Sequence, residues 1–89
     1  MNPWRLEVAL GAERTLDRLS TRLAAAIVEF LVASLLDSPE RVGKPLRREL
    51  NGYHVARRGA YRIIYRLILE QRVVRVVRIE HRADVYRQR

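Results

Sequence analysis

Three strand-like runs in the second half of the chain constrain its fold more than any other feature. They are rich in β-branched and aromatic residues, and they cover residues 53–57 (YHVAR), 61–69 (YRIIYRLIL) and 73–81 (VVRVVRIEH). Only three residues separate each run from the next, and Arg58-Gly59-Ala60 is typical of a turn. Because connections this short join antiparallel neighbours, the pattern predicts a three-stranded antiparallel meander.

The first half of the chain predicts one more strand and two helices. Apolar residues alternate at its start and then recur at helical spacing, with Ser20 or Thr21 placed to cap the second helix. The predicted elements are a strand over 4–10 ended by Gly11, helices over 12–19 and 21–36, and a loop over 37–45. The predicted fold is therefore α+β, in the order β-α-α-β-β-β, with a small antiparallel-rich sheet and two helices on one face.

A chain of 89 residues predicts a single domain over 1–89, whose polar tail, 82–89, is expected to be loosely ordered. With no cysteine and no HxxH or HExxH spacing, we expect neither a disulfide, nor a metal site, nor a cofactor. The first residues lack the apolar core of a signal peptide, and the apolar segment 23–36 is shorter than the ~20 residues that span a bilayer. We expect a cytoplasmic protein without a membrane partner.

Charge is distributed unevenly along the chain. Residues 1–40 hold four arginines against six acids, whereas residues 41–89 hold fourteen basic residues against four acids. The net charges of these two parts, −2 and +10, indicate a polyanion-binding surface built from the second part.

The alternation within the last two runs predicts which residues share a face of the sheet. If Leu69 pairs with Val73, then Arg62 lies opposite Glu80 as a salt-bridge partner, and odd positions form a nearly continuous apolar face for the helices. A slip of one residue would scatter that face, which favours this register. The even positions then carry an arginine cluster: Arg62, Arg66, Arg78 and Arg82.

Three segments give the chain a family resemblance: LGAERTLDRL, GKPLRRELNGYHVARRGAYRIIYRL and VVRIEHRADVYR. Together with the element order, they resemble the RelE/ParE toxin superfamily, most closely the RelE branch with its actinobacterial members. The resemblance implies a RelE-like fold and a cytoplasmic toxin of a type II toxin–antitoxin pair, held by a RelB-like antitoxin in a hetero-oligomer. The RelE branch cleaves mRNA in the ribosomal A site, whereas the ParE branch poisons DNA gyrase.

The resemblance also implies roles for individual residues. The arginine of the family's G-Y-R motif falls on Arg62, a second family arginine on Arg82, and the aromatic that stacks on a base on Tyr86. His54 and Ala56 replace the two lysines of the best-known RelE pattern. The turn is about one residue shorter, so Arg57 and Arg58 cannot be assigned uniquely. The residues expected to bind RNA or phosphate are Arg57, Arg58, Lys44 and Arg78.

The implied reaction is an internal transfer, in which the ribose 2′-OH attacks the adjacent phosphorus and the 5′-oxygen leaves. Arginine suits the phosphate, so Arg62 and Arg82 are the expected clamp. His54 is the candidate base, and His81 is a weaker candidate because it falls on the core side. Tyr86 either stacks on a nucleobase or packs on the sheet.

Three functions stay open: a ribosome-dependent mRNA endonuclease, a ParE-like gyrase inhibitor, and a non-catalytic RNA-binding module. The set of Arg62, Arg82 and Tyr86 favours the first, while the missing lysines keep the others open. One further ambiguity concerns the helix over 21–36. The apolar positions of this helix that do not face the sheet are Ala24, Val28 and Val32. They either form a groove for the antitoxin or pack against helix 12–19.

Overall fold

The computed structural model describes residues 3–48 and 51–83. Strand β1 (Arg5–Val8) is followed by helices α1 (Leu10–Arg18) and α2 (Thr21–Phe30), and α2 continues as a π-helical segment over Leu31–Leu35. A short helix α3 (Pro39–Val42) and a two-residue strand β2 (Lys44–Pro45) come next. The chain then forms strands β3 (Tyr53–Arg58), β4 (Tyr61–Ile68) and β5 (Val73–His81).

One five-stranded mixed sheet organises the molecule, in the order β1-β5-β4-β3-β2. The C-terminal strands form the predicted antiparallel meander, and β1 pairs with β5 in parallel. The α+β class and the packing of helices on one face are therefore confirmed. The apolar core lies between the sheet and both helices, α1 and the longer α2 segment. Its largest buried members are Tyr65, Ile27, Leu31, Leu35, Ile63, Val74 and Val76.

Several local predictions in the first half need correction. Gly11 does not end the first strand, because β1 stops at Val8 and Gly11 is the second residue of α1. The predicted loop over 37–45 contains α3 and β2. Ser20, rather than Thr21, caps α2, since its hydroxyl accepts a hydrogen bond from the Leu23 amide at 3.2 Å. None of the helices in the described ranges has the length and hydropathy that a membrane span requires.

The pairing of β4 with β5 departs from the predicted register at one point. Arg62 lies opposite Glu80 and Ile64 opposite Arg78, as predicted, but Tyr65 pairs with Val76. Val77 is therefore the extra residue of a β-bulge. The strand then ends with Ile68, not Leu69, opposite Val73.

The bulge has a clear physical benefit for the core. Strict alternation along β5 would turn Arg75 toward the helices. Beyond the bulge, Val74 and Val76 take the core side and are fully buried, while Arg75 pairs with Glu7 of β1 on the other face. The turn from β4 closes with Arg72 in a left-handed conformation at φ 56°.

Tyr65 fixes the short α3–β2 segment onto the sheet. Its hydroxyl donates a hydrogen bond of 2.6 Å to the Pro39 carbonyl and interacts with the backbone of Gly43. Burial raises the pKa of Tyr65 to about 12, and the hydrogen bond from the Gly43 backbone opposes this rise. A side chain at Gly43 would overlap the Tyr65 hydroxyl, so glycine is required for this close approach.

Candidate functional site

Six arginines share the face of the sheet that is turned away from α1 and α2, and we call it the arginine face. Its position follows from the ladder, because Ala56, Ile63 and Tyr65 are buried on the helix side and their neighbours alternate outward. The arginine face carries Arg5, Arg57, Arg62, Arg66, Arg75 and Arg78, together with the carboxylates of Glu7 and Glu80.

One end of the arginine face concentrates positive charge around a single carboxylate. Arg57, Arg62 and Glu80 form one row across β3, β4 and β5. Glu80 Oε1 lies 3.7 Å from Arg62 Nη1, and Glu80 Oε2 lies 3.2 Å from Arg78 Nε. The salt bridge predicted between Arg62 and Glu80 is thus present, and Arg78 is a second partner of the same carboxylate.

Arg62 is the least exposed guanidinium among the ion pairs of this face, with 26% of its side chain accessible. Its Nε is buried and has no hydrogen-bond partner within residues 3–48 and 51–83. Like charges directly opposite each other destabilise a sheet, and Arg57 faces Arg62 across the ladder. An anion bound at this row would offset that repulsion and supply acceptors for the guanidinium groups.

At the other end of the arginine face, Arg75 and Arg66 have partners of their own. Arg75 Nε lies 2.8 Å from Glu7 Oε1, and both side chains are exposed. The guanidinium of Arg66 lies 5.4 Å from the centre of the Tyr53 ring, which is the distance of a cation–π contact. We therefore place the candidate site at the Arg57, Arg62 and Arg78 end.

The structure separates the two arginines that sequence alone could not distinguish. Arg57 pairs with Arg62 and lies on the arginine face, whereas Arg58 pairs with Tyr61 on the helix side. There Arg58 lines a small cavity with Glu29, Phe30 and Ser34. The expectation that Arg58 stands at the same site as Arg62 is therefore not met.

Both histidines also lie on the helix side of the sheet. His54 pairs with Tyr65 and stacks on its ring, with the ring centres 5.4 Å apart. The strand alternation thus turns His54 away from Arg62, contrary to its predicted place as the base at the phosphate. His81 packs edge-on against Tyr61, and its Nδ1 accepts a hydrogen bond of 3.0 Å from the Ala83 amide.

Three other predicted residues have different outcomes. Arg82 follows β5, and its amide donates a hydrogen bond of 2.7 Å to the Ala60 carbonyl in the β3–β4 turn. This bond keeps its backbone beside the row of Arg57 and Arg62. Lys44 of β2 is exposed and pairs with Val55 of β3. The same row of paired residues continues across the sheet to Arg78 of β5. Tyr86 lies outside the described residues.

Comparison with known proteins agrees with the family resemblance of the sequence segments. The family model described as ParE toxin of the type II toxin–antitoxin system matches residues 6–86. The chain belongs to the RelE/ParE toxin superfamily. Within that superfamily it is 48% identical over 85 residues to toxin RelG of Mycobacterium tuberculosis, covering 96% of this chain and 98% of RelG. It is 42% identical over 86 residues to toxin RelE of the same organism, covering 97% of this chain and 89% of that toxin.

Solved structures of RelE toxins share the fold. The RelBE2 toxin–antitoxin complex of M. tuberculosis matches with a TM-score of 0.85 and 46% identity, covering 91% of this chain and 100% of the matched chain. The isolated Escherichia coli RelE toxin matches with a TM-score of 0.73 at 22% identity, covering 96% of this chain and 93% of RelE. This protein is thus a RelE-like toxin of a type II toxin–antitoxin system.

Two features of this toxin's site went beyond the sequence prediction. Arg75 joins the arginine face only because of the bulge at Val77, for which the sequence carries no clear signal. Glu80 is shared between Arg62 and Arg78 rather than bound to one arginine. The i, i+2 spacing of Arg78 and Glu80 on one strand was the available signal, because it places both side chains on the same face.

Proposed function

We propose that this toxin is a ribosome-dependent endonuclease that cleaves mRNA in the A site and thereby inhibits translation in the cytoplasm. The observation that carries the proposal is the grouping of Arg57, Arg62 and Arg78 at one end of one face of the sheet. Guanidinium groups bind phosphate through paired hydrogen bonds and remain charged at every relevant pH. The relatives named as RelE and RelG toxins support the same activity.

The proposed reaction requires no metal: the 2′-OH attacks the adjacent phosphorus and the bond to the 5′-oxygen breaks. Arg62 stabilises the charge that develops on the phosphorane oxygens, supported by Arg57 and Arg82. Tyr86 stacks on a nucleobase, and Lys44 and Arg78 contact neighbouring phosphates. Water accepts the proton of the 2′-OH and protonates the departing 5′-oxygen, because both histidines lie on the helix side. The ribosome orients the mRNA, and orientation alone supplies a large part of such a rate enhancement.

We further propose a RelB-like antitoxin as the neutralising partner, in a toxin–antitoxin hetero-oligomer. The similar M. tuberculosis RelBE2 structure is a complex of this kind. Val28 and Val32 are 42% and 53% exposed, which favours a surface for a partner over tight packing against α1, whereas Ala24 is half-buried. The spacing of the two valines places them one turn apart, where an apolar antitoxin segment can cover both.

A gyrase inhibitor is the second candidate, because the matching family model is described as a ParE toxin. The absence of the RelE lysines and the position of His54 also fit a toxin that does not cleave RNA. A third candidate binds RNA without cleaving it.

One pair of assays separates the candidates. Purified toxin is added to a reconstituted translation reaction, and new 5′ ends are mapped by primer extension, with ribosome-free mRNA as the control. We expect cuts within A-site codons only when ribosomes are present. Inhibition of gyrase supercoiling without such cuts supports the ParE-like function instead, and mRNA retention without cuts supports the binding module.

A further inference from the structure

Glu80 has a position that neither the family resemblance nor the comparisons assign. It lies between the arginines at one end of the arginine face, and only 14% of its side chain is accessible. Each of its two carboxylate oxygens approaches a different arginine, Arg62 at 3.7 Å and Arg78 at 3.2 Å. The carboxylate of Glu80 therefore has little contact with solvent, and its two ion pairs restrict the position of its side chain.

The carboxylate of Glu80 offsets the repulsion between the two arginines beside it. Guanidinium groups on adjacent strands repel one another, and without a counter-charge Arg62 and Arg78 would move apart. Arg62 directs Nη1 toward Glu80 and keeps Nε buried, which leaves its donors for a ligand mainly at Nη2. Glu80 is the one carboxylate within ion-pair distance of Arg62 in the described part of the chain, so it is placed to influence which edge of the guanidinium faces a ligand.

We propose that Glu80 is a positioning residue, which holds the guanidinium groups of Arg62 and Arg78 in the orientation that the scissile phosphate requires. The inference rests on the proposed endonuclease function and deepens it. Glu80 acts through its arginines and does not itself touch the reacting atoms.

A second ion pair on the same face provides a matched control. Glu7 contacts Arg75 at 2.8 Å, but 45% of its side chain is exposed and it has this one arginine as partner among the described residues. Glu7→Gln removes the same charge from the same face of the sheet as Glu80→Gln, away from Arg62. A general effect of charge on ribosome binding therefore appears in both variants, whereas loss of positioning appears in one.

The test measures single-turnover cleavage of mRNA on programmed ribosomes with wild type, Glu80→Ala, Glu80→Gln and Glu7→Gln. For Glu80→Ala, the rate at saturating toxin is expected to fall about a hundredfold, the scale of a small misplacement of reacting groups. The half-saturating toxin concentration is expected to stay the same or decrease, because the variant is more positive. Glu80→Gln keeps an acceptor oxygen and should retain more activity than Glu80→Ala. Glu7→Gln should cleave at the wild-type rate.

Two results overturn the proposal, and both require that the wild type cleaves. A wild-type saturating rate in Glu80→Ala shows that the carboxylate is dispensable. Equal loss in Glu80→Gln and Glu80→Ala, with recovery when formate is added, makes Glu80 the proton acceptor instead. Absence of cleavage by wild type counts against the endonuclease function itself.

An independent readout follows the positioning without any cleavage. In ¹⁵N NMR spectra of the free toxin, we expect the buried Nε–H of Arg62 to give a separate resonance in wild type and in Glu7→Gln. In Glu80→Ala it should move into the envelope of exposed arginines. An unmoved Arg62 resonance in Glu80→Ala contradicts the proposal whatever the cleavage assay shows.

Discussion

Arg62 and Glu80 lie directly opposite each other on β4 and β5, and their side chains approach to 3.7 Å on the exposed face of the sheet. Because Arg78 shares the same carboxylate, three charged groups are held together before any ligand arrives. A site whose groups are already oriented needs less reorganisation when charge develops on a phosphate. This relationship supports the proposal that the arginine face binds phosphate.

The two neighbouring arginines of β3 should differ in function. Arg57→Ala is expected to lower the saturating rate of mRNA cleavage by about tenfold, the effect of losing one charge-assisted contact to phosphate. Arg58→Ala removes the same charge one residue away, on the helix side, and should cleave within about twofold of wild type. Equal losses in both variants would show that net charge, and not the face of the strand, matters.

His54→Ala should leave cleavage essentially unchanged, because His54 stacks on Tyr65 and faces away from Arg62. Loss of the stacking should lower the free energy of unfolding by about 1 kcal/mol, measured by urea denaturation. A loss of cleavage without a loss of stability would restore His54 as the base.

Tyr65→Phe removes the hydroxyl that donates to the Pro39 carbonyl at 2.6 Å. Since a buried acceptor is left unpaired, the free energy of unfolding should fall by about 1–3 kcal/mol in urea denaturation. Tyr53→Phe is the control, because Tyr53 lies half-buried below Arg66, and it should change stability by less than about 0.5 kcal/mol. Similar effects in the two variants would contradict the bridging role of Tyr65.

The raised pKa of Tyr65 gives a pH dependence with a definite sign. The folded state keeps the phenol protonated to about pH 12, whereas an unfolded tyrosine loses its proton near 10.0. In this interval the folded state binds more protons, so stability declines as the pH rises from 10 toward 12. Wild type should therefore lose stability more steeply than Tyr65→Phe in this range. Parallel curves would show that Tyr65 is not the responsible group.

Gly43→Ala should destabilise the toxin by about 1–3 kcal/mol, because its Cβ would overlap the Tyr65 hydroxyl and lie 2.8 Å from the Val55 carbonyl oxygen. Gly11→Ala makes the same chemical change within α1, where a Cβ meets nothing within 4 Å. That control should raise stability by about 0.5 kcal/mol, since alanine favours the helix. Thermal unfolding of both variants measures the difference between their stability changes. Equal stability of the two variants would show that the α3–β2 segment is loosely packed.

Much of the sheet could be predicted from the sequence because its determinants are local. The three-residue loop after Leu69 and the alternation of the last two runs predict Arg62 opposite Glu80. That pair is present although the loop pairs Ile68, not Leu69, with Val73, because the bulge shifts the register by one residue. The short turn around Gly59 pairs Arg58 with Tyr61, and following it one residue further would have assigned Arg57 to the arginine face.

The rest depended on tertiary packing. The bulge at Val77 is favoured because it buries Val74 and Val76 and releases Arg75, a balance that alternation alone does not reveal. The helix-side position of His54, by contrast, was within reach of the sequence, because the Gly59 turn that pairs Arg57 with Arg62 also pairs His54 with Tyr65. The α3–β2 segment forms where Tyr65 binds Pro39, a contact between residues 26 positions apart in the chain.

Primer extension on mRNA from a translation reaction tests the central claim most directly, with wild type, Arg62→Ala and Arg66→Ala compared at equal concentrations. Arg62 and Arg66 lie on the same face of the same strand, but Arg66 rests on Tyr53 away from Glu80. We expect wild type and Arg66→Ala to produce new 5′ ends within A-site codons. Arg62→Ala should produce them about a hundredfold to a thousandfold more slowly. Wild-type toxin that yields no new 5′ ends on translated mRNA, or Arg62→Ala that cleaves as fast as wild type, would contradict the account.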